Sequence, residues 1–256
     1  MENFYVISFL GSSLIMAIAF FVENKTGSSG YIDSIWALNI GFFSILTAFP
    51  FNDLRDLIIA SLVVFWAIRL GGYIFRRTQK LPDDPRYNEL KKSWGKKAAL
   101  NLFLFLQIQA VCAFVLICAV RLGVERINSD WQLIDTIALL IAIIGLAGEA
   151  VADNQLSQFK AANPPKSICN IGLWRYSRHP NYFFEFVFWC GLSLFAFDFV
   201  SLNSWAIMAL FAPIMMYYLL NYASGIPPLE AYMLRSRGEK FEEYMKTVRP
   251  FFPFPK

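Results

Sequence analysis

The chain reads as an all-α protein, a polytopic membrane bundle of seven transmembrane helices, on two observations. Of its 256 residues 57% are apolar and 16% charged, where an ordinary soluble domain carries about 25% charged residues. Seven separate stretches stay apolar over the roughly 20 residues that a helix needs to cross a ~30 Å hydrocarbon core. None shows the ~10-residue alternation of a barrel strand, and a helix satisfies its own backbone hydrogen bonds in lipid.

The first stretch, residues 4 to 22, follows Met1-Glu2-Asn3, which has no basic residue, and no A-x-A-like cleavage site comes after it. It therefore reads as a span and not as a removed signal. The next two cover 31 to 49 and 57 to 75. A polar segment from Arg76 to Lys97 follows, with a turn at Pro82-Asp83-Asp84-Pro85 and a short amphipathic helix from Arg86 to Trp94. Its Lys and Trp side chains suit anchoring at the membrane surface. Spans four and five cover 99 to 120 and 133 to 152. Asn154 to Pro180, broken by Pro164, Pro165 and Gly172, reads as a re-entrant or surface loop. Spans six and seven are 182 to 199 and 204 to 222. An amphipathic helix over Lys240 to Met245 then precedes Arg249 to Pro255, whose prolines lack the donors a helix needs and so form an extended strap. With no linker, repeat or low-complexity tract, residues 1–256 read as one membrane domain.

Nineteen of the 23 Lys and Arg residues fall in the segments on one side of these spans, and three, Arg55, Arg121 and Arg126, on the other. The asymmetry puts the N-terminus outside and the C-terminus in the cytoplasm. The net charge of +4 is then a topological signal and no sign of a nucleic-acid partner. Four cysteines without C-x-x-C spacing and a single histidine argue against a metal site and for buried free thiols.

Ionisable groups inside spans are costly and mark functional positions. They are Asp33 in span two, Arg69 and Tyr73 in span three, Glu149 and Asp153 in span five, and Glu185 in span six. Arg69 finds a natural counter-ion in a carboxylate such as Asp33. Asn181 and Glu185 share a helix face, which is expected to meet a ligand or Arg178. In Tyr176-Ser177-Arg178-His179-Pro180-Asn181-Tyr182, Pro180 starts a helix whose free N–H groups, with Arg175 and Arg178, suit an anion.

These residues carry a resemblance. Gly172-Leu173-Trp174-Arg175-Tyr176-Ser177-Arg178-His179-Pro180-Asn181-Tyr182 with Glu185, then Ser224-Gly225-Ile226-Pro227, Leu229-Glu230, Arg235-Ser236-Arg237 and Tyr244, are similar to the steroid 5α-reductase superfamily. The match is strongest to its bacterial, DUF1295-like branch over residues 145 to 256, and Arg69 to Arg77 with Asp83, Pro85, Arg86 and Tyr87 extends it. The resemblance implies an NADPH-dependent oxidoreductase of the bacterial inner membrane that reduces the C=C bond of an enone in a hydrophobic lipid. It assigns residues 1–122 to the substrate and 123–256 to the cofactor. Cofactor contacts fall on Arg76, Arg77, Glu149, Asp153, Lys160, Tyr176, Arg178, His179, Asn181, Glu185, Arg235, Arg237 and Tyr244. Tyr73, in a Tyr-x-x-Arg with Arg76, would polarise the substrate carbonyl. Span two departs from the steroid enzymes, with Asp33-Ser34 where they carry Gln-Glu, so the implied substrate is a steroid-like or isoprenoid lipid drawn from the bilayer. The alternative is an S-adenosylmethionine-dependent isoprenylcysteine or phospholipid methyltransferase, which shares the Arg-His-Pro turn. Ser224 to Glu230 stands here in place of the Arg-x-x-x-Glu-Glu pattern of those enzymes.

Overall fold

The computed structural model describes residues 2–79, 83–128, 130–198 and 204–254. Among these the regular structure is helical, with no strand. Among the described residues six helical segments are long and apolar enough to cross a membrane: Asn3–Thr26, Gly30–Ala48, Leu54–Thr78, Pro85–Val124, Leu133–Ala162 and Trp205–Arg237. The chain is an integral membrane protein. Pro82, Phe199 and Pro255, which the sequence reading included in a turn, a span and the strap, lie outside the described residues. All four cysteines are free, Cys169 buried and the others half-buried.

Three boundaries differ from expectation. Helix α6 (Leu133–Ala162) runs ten residues past the end of the predicted span, so Asn154 to Ala162 is helix and not loop. The break comes only at Asn163, which caps back to Phe159 O at 2.8 Å ahead of Pro164 and Pro165. The sixth predicted span is the 15-residue α7 (Pro180–Leu194), about 22 Å long at 1.5 Å per residue and shorter than the hydrocarbon core. It stops because the Phe195 and Phe197 carbonyls turn to the buried Arg55 and Arg126 guanidinium groups. The seventh is broken into a 3₁₀ turn (Ser204–Leu210), α8 (Phe211–Tyr218) and a π-helical turn (Leu219–Ala223). Pro213 cannot donate to Ala209 O, and that carbonyl accepts instead from Ser193 Oγ at 2.8 Å.

The chain forms two compact units. The first comprises Met1–Asp135 and Ser193–Ala212. Here α1 (Glu2–Thr26), α2 (Gly30–Ala48), α3 (Leu54–Thr78) and α5 (Ala98–Val124) pack side by side. Buried Gly30, Ser34, Ala37, Gly41 and Ser44 form a small-residue seam on α2. A Cβ on Gly41 would stand 2.6 Å from Ala67 Cβ, so α2 and α3 approach as closely as small residues permit. Polar side chains add interhelical bonds, Ser13 Oγ to Gln107 Oε1 at 2.6 Å and Ser12 to Asn39 at 3.3 Å. Two of the three cations counted outside are buried: Arg55 Nε and Arg126 Nη2 reach Asp135 at 3.0 and 2.9 Å.

The second unit comprises Thr136–Leu192 and Pro213–Lys256. A glycine seam joins α6 to α7. A Cβ on Gly145 would lie 2.5 Å from Phe188 N, and one on Gly191 2.5 Å from Ala142 N. Backbone-to-backbone contact of this kind sets the register of the two helices. α9 (Ile226–Arg237) and α10 (Glu239–Thr247) follow the π turn, hinged at Gly238 with φ +57°. The extended segment beyond Val248 is the strap expected from its prolines, and its Arg249 pairs in a single parallel bridge with Ser177.

Candidate functional site

The register of α6 and α7 brings together the polar groups singled out in the second unit. Glu149, Asp153 and Lys160 recur on one face of α6, the carboxylates buried and the lysine exposed. At 1.5 Å per residue, Glu149 and Lys160 are separated by roughly 16 Å along the axis. From the first turn of α7, Asn181 Nδ2 donates to Asp153 Oδ1 at 3.3 Å. An ionised Asp153 only accepts, so Asn181 turns its NH₂ toward it. Asn181 Oδ1 is then buried without a hydrogen-bond partner among the described residues, an acceptor awaiting a donor. One turn on, Glu185 is buried and its Oε1 accepts from Trp189 Nε1 at 2.9 Å.

Arg178 and His179 do different work from that expected. Arg178 lies against Glu230 of α9, Nε to Oε1 at 2.7 Å and Nη2 to Oε2 at 3.0 Å, and Nη1 donates to Val248 O at 2.5 Å. His179 Nε2 meets the same Oε1 at 2.9 Å, and its ring stacks on Tyr182 at 5.5 Å. Burial holds the His179 pKa below its ordinary value and outweighs the attraction of Glu230, so the ring is neutral and donates. The N–H groups of the two residues that precede the helix are taken, Arg178 N by Arg249 O at 2.8 Å and His179 N by Ser177 Oγ at 3.1 Å. The partner of Arg178 is thus Glu230 and not the Asn181–Glu185 face. The segment pins the C-terminal strap to the start of α7. Glu230 could have been found by asking which carboxylate neutralises a buried arginine.

Tyr244 is buried and its hydroxyl donates to Trp174 O; burial pushes its pKa well up, which keeps it a donor. Trp174 Nε1 reaches Ala152 O at 3.0 Å, tying the turn at Gly172–Arg175 to α6 beside Asp153. Tyr176, Lys160 and Arg235 are exposed; Arg237 is half-buried, with Nε unpartnered.

Asp33, Tyr73, Arg76 and Arg77 belong to the first unit. Ser34 Oγ donates to Gly71 O at 2.7 Å, which sets Asp33 and Tyr73 each within a turn of the α2–α3 contact. Asp33 receives Arg86 Nη2 at 2.5 Å and Tyr87 OH at 2.7 Å, and Tyr87 in turn accepts from Gln109 Nε2 at 3.0 Å. Arg76 is exposed, and Arg77 reaches Asp84 at 3.3 Å. Asp84 caps α4 (Pro85–Trp94). Burial alone would raise its pKa, but the hydrogen bonds and charge of Arg86 prevail and hold it below the usual carboxylate range. α4 is no simple surface anchor: Lys91 pairs with Glu23 at 2.8 Å and Asp83 at 2.9 Å, and Trp94 packs inward on Phe105.

A family model described as "Protein of unknown function (DUF1295)" matches residues 19–248, nine-tenths of the chain. The chain belongs to the DUF1295 family. Its relatives include a protein of Schizosaccharomyces pombe described as uncharacterized, 24% identical over 284 residues that cover 98% of this chain and 80% of that one. No solved structure matches the chain.

Proposed function

We propose that this DUF1295 protein is an NADPH-dependent membrane oxidoreductase of the steroid 5α-reductase superfamily. Its reaction is reduction of the C=C bond of an enone in a steroid-like or isoprenoid lipid. The observation that carries this reading is the buried, unpartnered Asn181 Oδ1 beside Asp153. A nicotinamide carboxamide offers the N–H donor that this acceptor lacks, and ribose hydroxyls suit the neighbouring carboxylates. Lys160, further along the same α6 face, and Arg237, whose Nε is unpartnered, supply cations for phosphates. NADPH, when bound, supplies the hydride.

The chain's own residues have separate tasks. Asn181, Asp153 and Glu185 orient the cofactor, and the buried Phe188 and Trp189 keep water from α7. Tyr73 donates a hydrogen bond to the substrate carbonyl as enolate charge develops. Asp33, held by Arg86 and Tyr87, is the carboxylate that this reading assigns to the same step, since it and Tyr73 each lie within a turn of the Ser34–Gly71 contact. The membrane arrangement in this reading has α7 as a seventh span, the N-terminus outside and the C-terminus inside, in a bacterial inner membrane.

Buried Glu149, Asp153 and Glu185 also suit the cationic groups of S-adenosylmethionine, which makes a methyltransferase the second reading. The phosphate-ready cations favour the reductase. The test is NADPH oxidation by purified protein supplied with a bilayer-soluble enone. Tyr73→Phe should keep cofactor binding and lose turnover, while Asn181→Ala should weaken cofactor binding about tenfold, a loss of ~1.4 kcal/mol. Unchanged turnover in Tyr73→Phe removes that residue from the mechanism.

A further inference from the structure

We propose that a cleft between the π-helical turn and the C-terminal strap binds the head group of an anionic phospholipid. The cleft has a volume of about 400 Å³ and lies wholly within the second unit. One wall is Tyr217, Asn221 and Tyr222, the other Arg249, Phe251 and Phe252.

Charge accounting singles out Arg249. Arg178 and Glu230 also line the cleft, but they neutralise one another at 2.7 and 3.0 Å. Arg249 is exposed and makes no ion pair among the described residues. Its backbone is fixed, since its carbonyl accepts from Arg178 N at 2.8 Å and it bridges to Ser177. The strap therefore holds one uncompensated cation at the cleft. Aromatic packing fixes the opposite wall: Tyr217 meets Phe251 edge-on at 5.4 Å and Tyr222 at 6.0 Å.

The apolar surroundings indicate a lipid and not a free anion. Tyr218, Tyr222 and Phe254 are 59%, 63% and 58% exposed, and Phe252 stacks on Phe254 at 6.4 Å. Such exposure is unfavourable in water and ordinary at head-group level in a bilayer. The sequence puts that level here, because the apolar run ends at Ala223 and the charged α9 begins at Ile226. A phosphate paired with Arg249 leaves its acyl chains against Tyr218 and Tyr222. A choline head group would bring its own cation beside Arg249, so an anionic lipid is preferred. The site is independent of the NADPH reading.

The test is thermal stability and native mass spectrometry of the full chain in a neutral detergent, titrated with phosphatidylglycerol, phosphatidylcholine or inorganic phosphate. Phosphatidylglycerol should stabilise and stay bound, the other two should not, and Arg249→Gln should weaken its binding about tenfold. Arg249→Lys should retain most of the binding, and Lys240→Gln, an exposed cation off the cleft, all of it. Equal effects of the two lipids, stabilisation by phosphate alone, or wild-type binding in Arg249→Gln would each overturn the proposal. If Arg249→Gln does not fold, Tyr222→Ala decides: loss of phosphatidylglycerol supports the site and unchanged binding overturns it.

Discussion

Arg178 and Glu230 form a buried bidentate ion pair that ties the residues preceding α7 to α9, with Arg178 Nη1 reaching on to the Val248 carbonyl. Through these contacts one side chain joins the start of α7, α9 and the strap.

Glu230→Ala leaves the Arg178 charge buried and uncompensated. Removing one partner of such a pair costs about 3–5 kcal/mol. The variant should melt lower and expose the strap, so limited proteolysis should cut near Arg249 in Glu230→Ala and not in the wild type. Arg178→Met combined with Glu230→Ala should recover part of the loss, because neither charge then remains.

His179 makes stability depend on pH. Its folded pKa lies below its ordinary value because the ring is buried, so the unfolded chain binds the proton more readily. Stability from this residue is complete above the unfolded pKa, near 6.5, and is lost as pH falls through the lower folded value. The slope reaches at most about 1.4 kcal/mol per pH unit. Melting curves between pH 8 and 5 should show the wild type losing stability and His179→Gln losing less. Asp84, whose folded pKa is also depressed, contributes in the same direction but only below its ordinary 3.8.

Gly145 bears on whether ligand binding depends on helix register. A Cβ there collides with the Phe188 backbone, which a helix cannot move cheaply. Gly145→Ala should cost about 1–3 kcal/mol as overpacking does, and it should weaken NADPH binding by displacing Asn181 from Asp153. Gly72→Ala, at a position with open space around it, is the control and should change neither.

Much of this architecture was legible in the amino-acid order, and the failures share a cause. Hydropathy located the long helices because lipid demands continuous apolar surface. It missed the extra turns of α6, since Asn154 to Ala162 is polar yet keeps its helical bonds until Pro164 and Pro165. It also overran α7, where the chain turns because Phe195 and Phe197 carbonyls satisfy arginines distant in sequence. The polar face was visible as two pairs, Glu149 with Asp153 and Asn181 with Glu185, each one turn apart on an apolar helix. Glu230 and Tyr87 were not assigned roles, because their importance lies in long-range partners, Arg178 and Asp33, that no local pattern reveals.

The most direct test of the central claim is ligand-dependent melting of the purified, detergent-solubilised protein. NADPH at about 100 times its Kd should add ~2.7 kcal/mol, a rise of several degrees, and S-adenosylmethionine should add nothing. Asn181→Ala should lose most of the NADPH shift at the same concentration. Stabilisation by S-adenosylmethionine with none by NADPH would contradict the reductase account and establish the methyl donor as the ligand of the α6–α7 face.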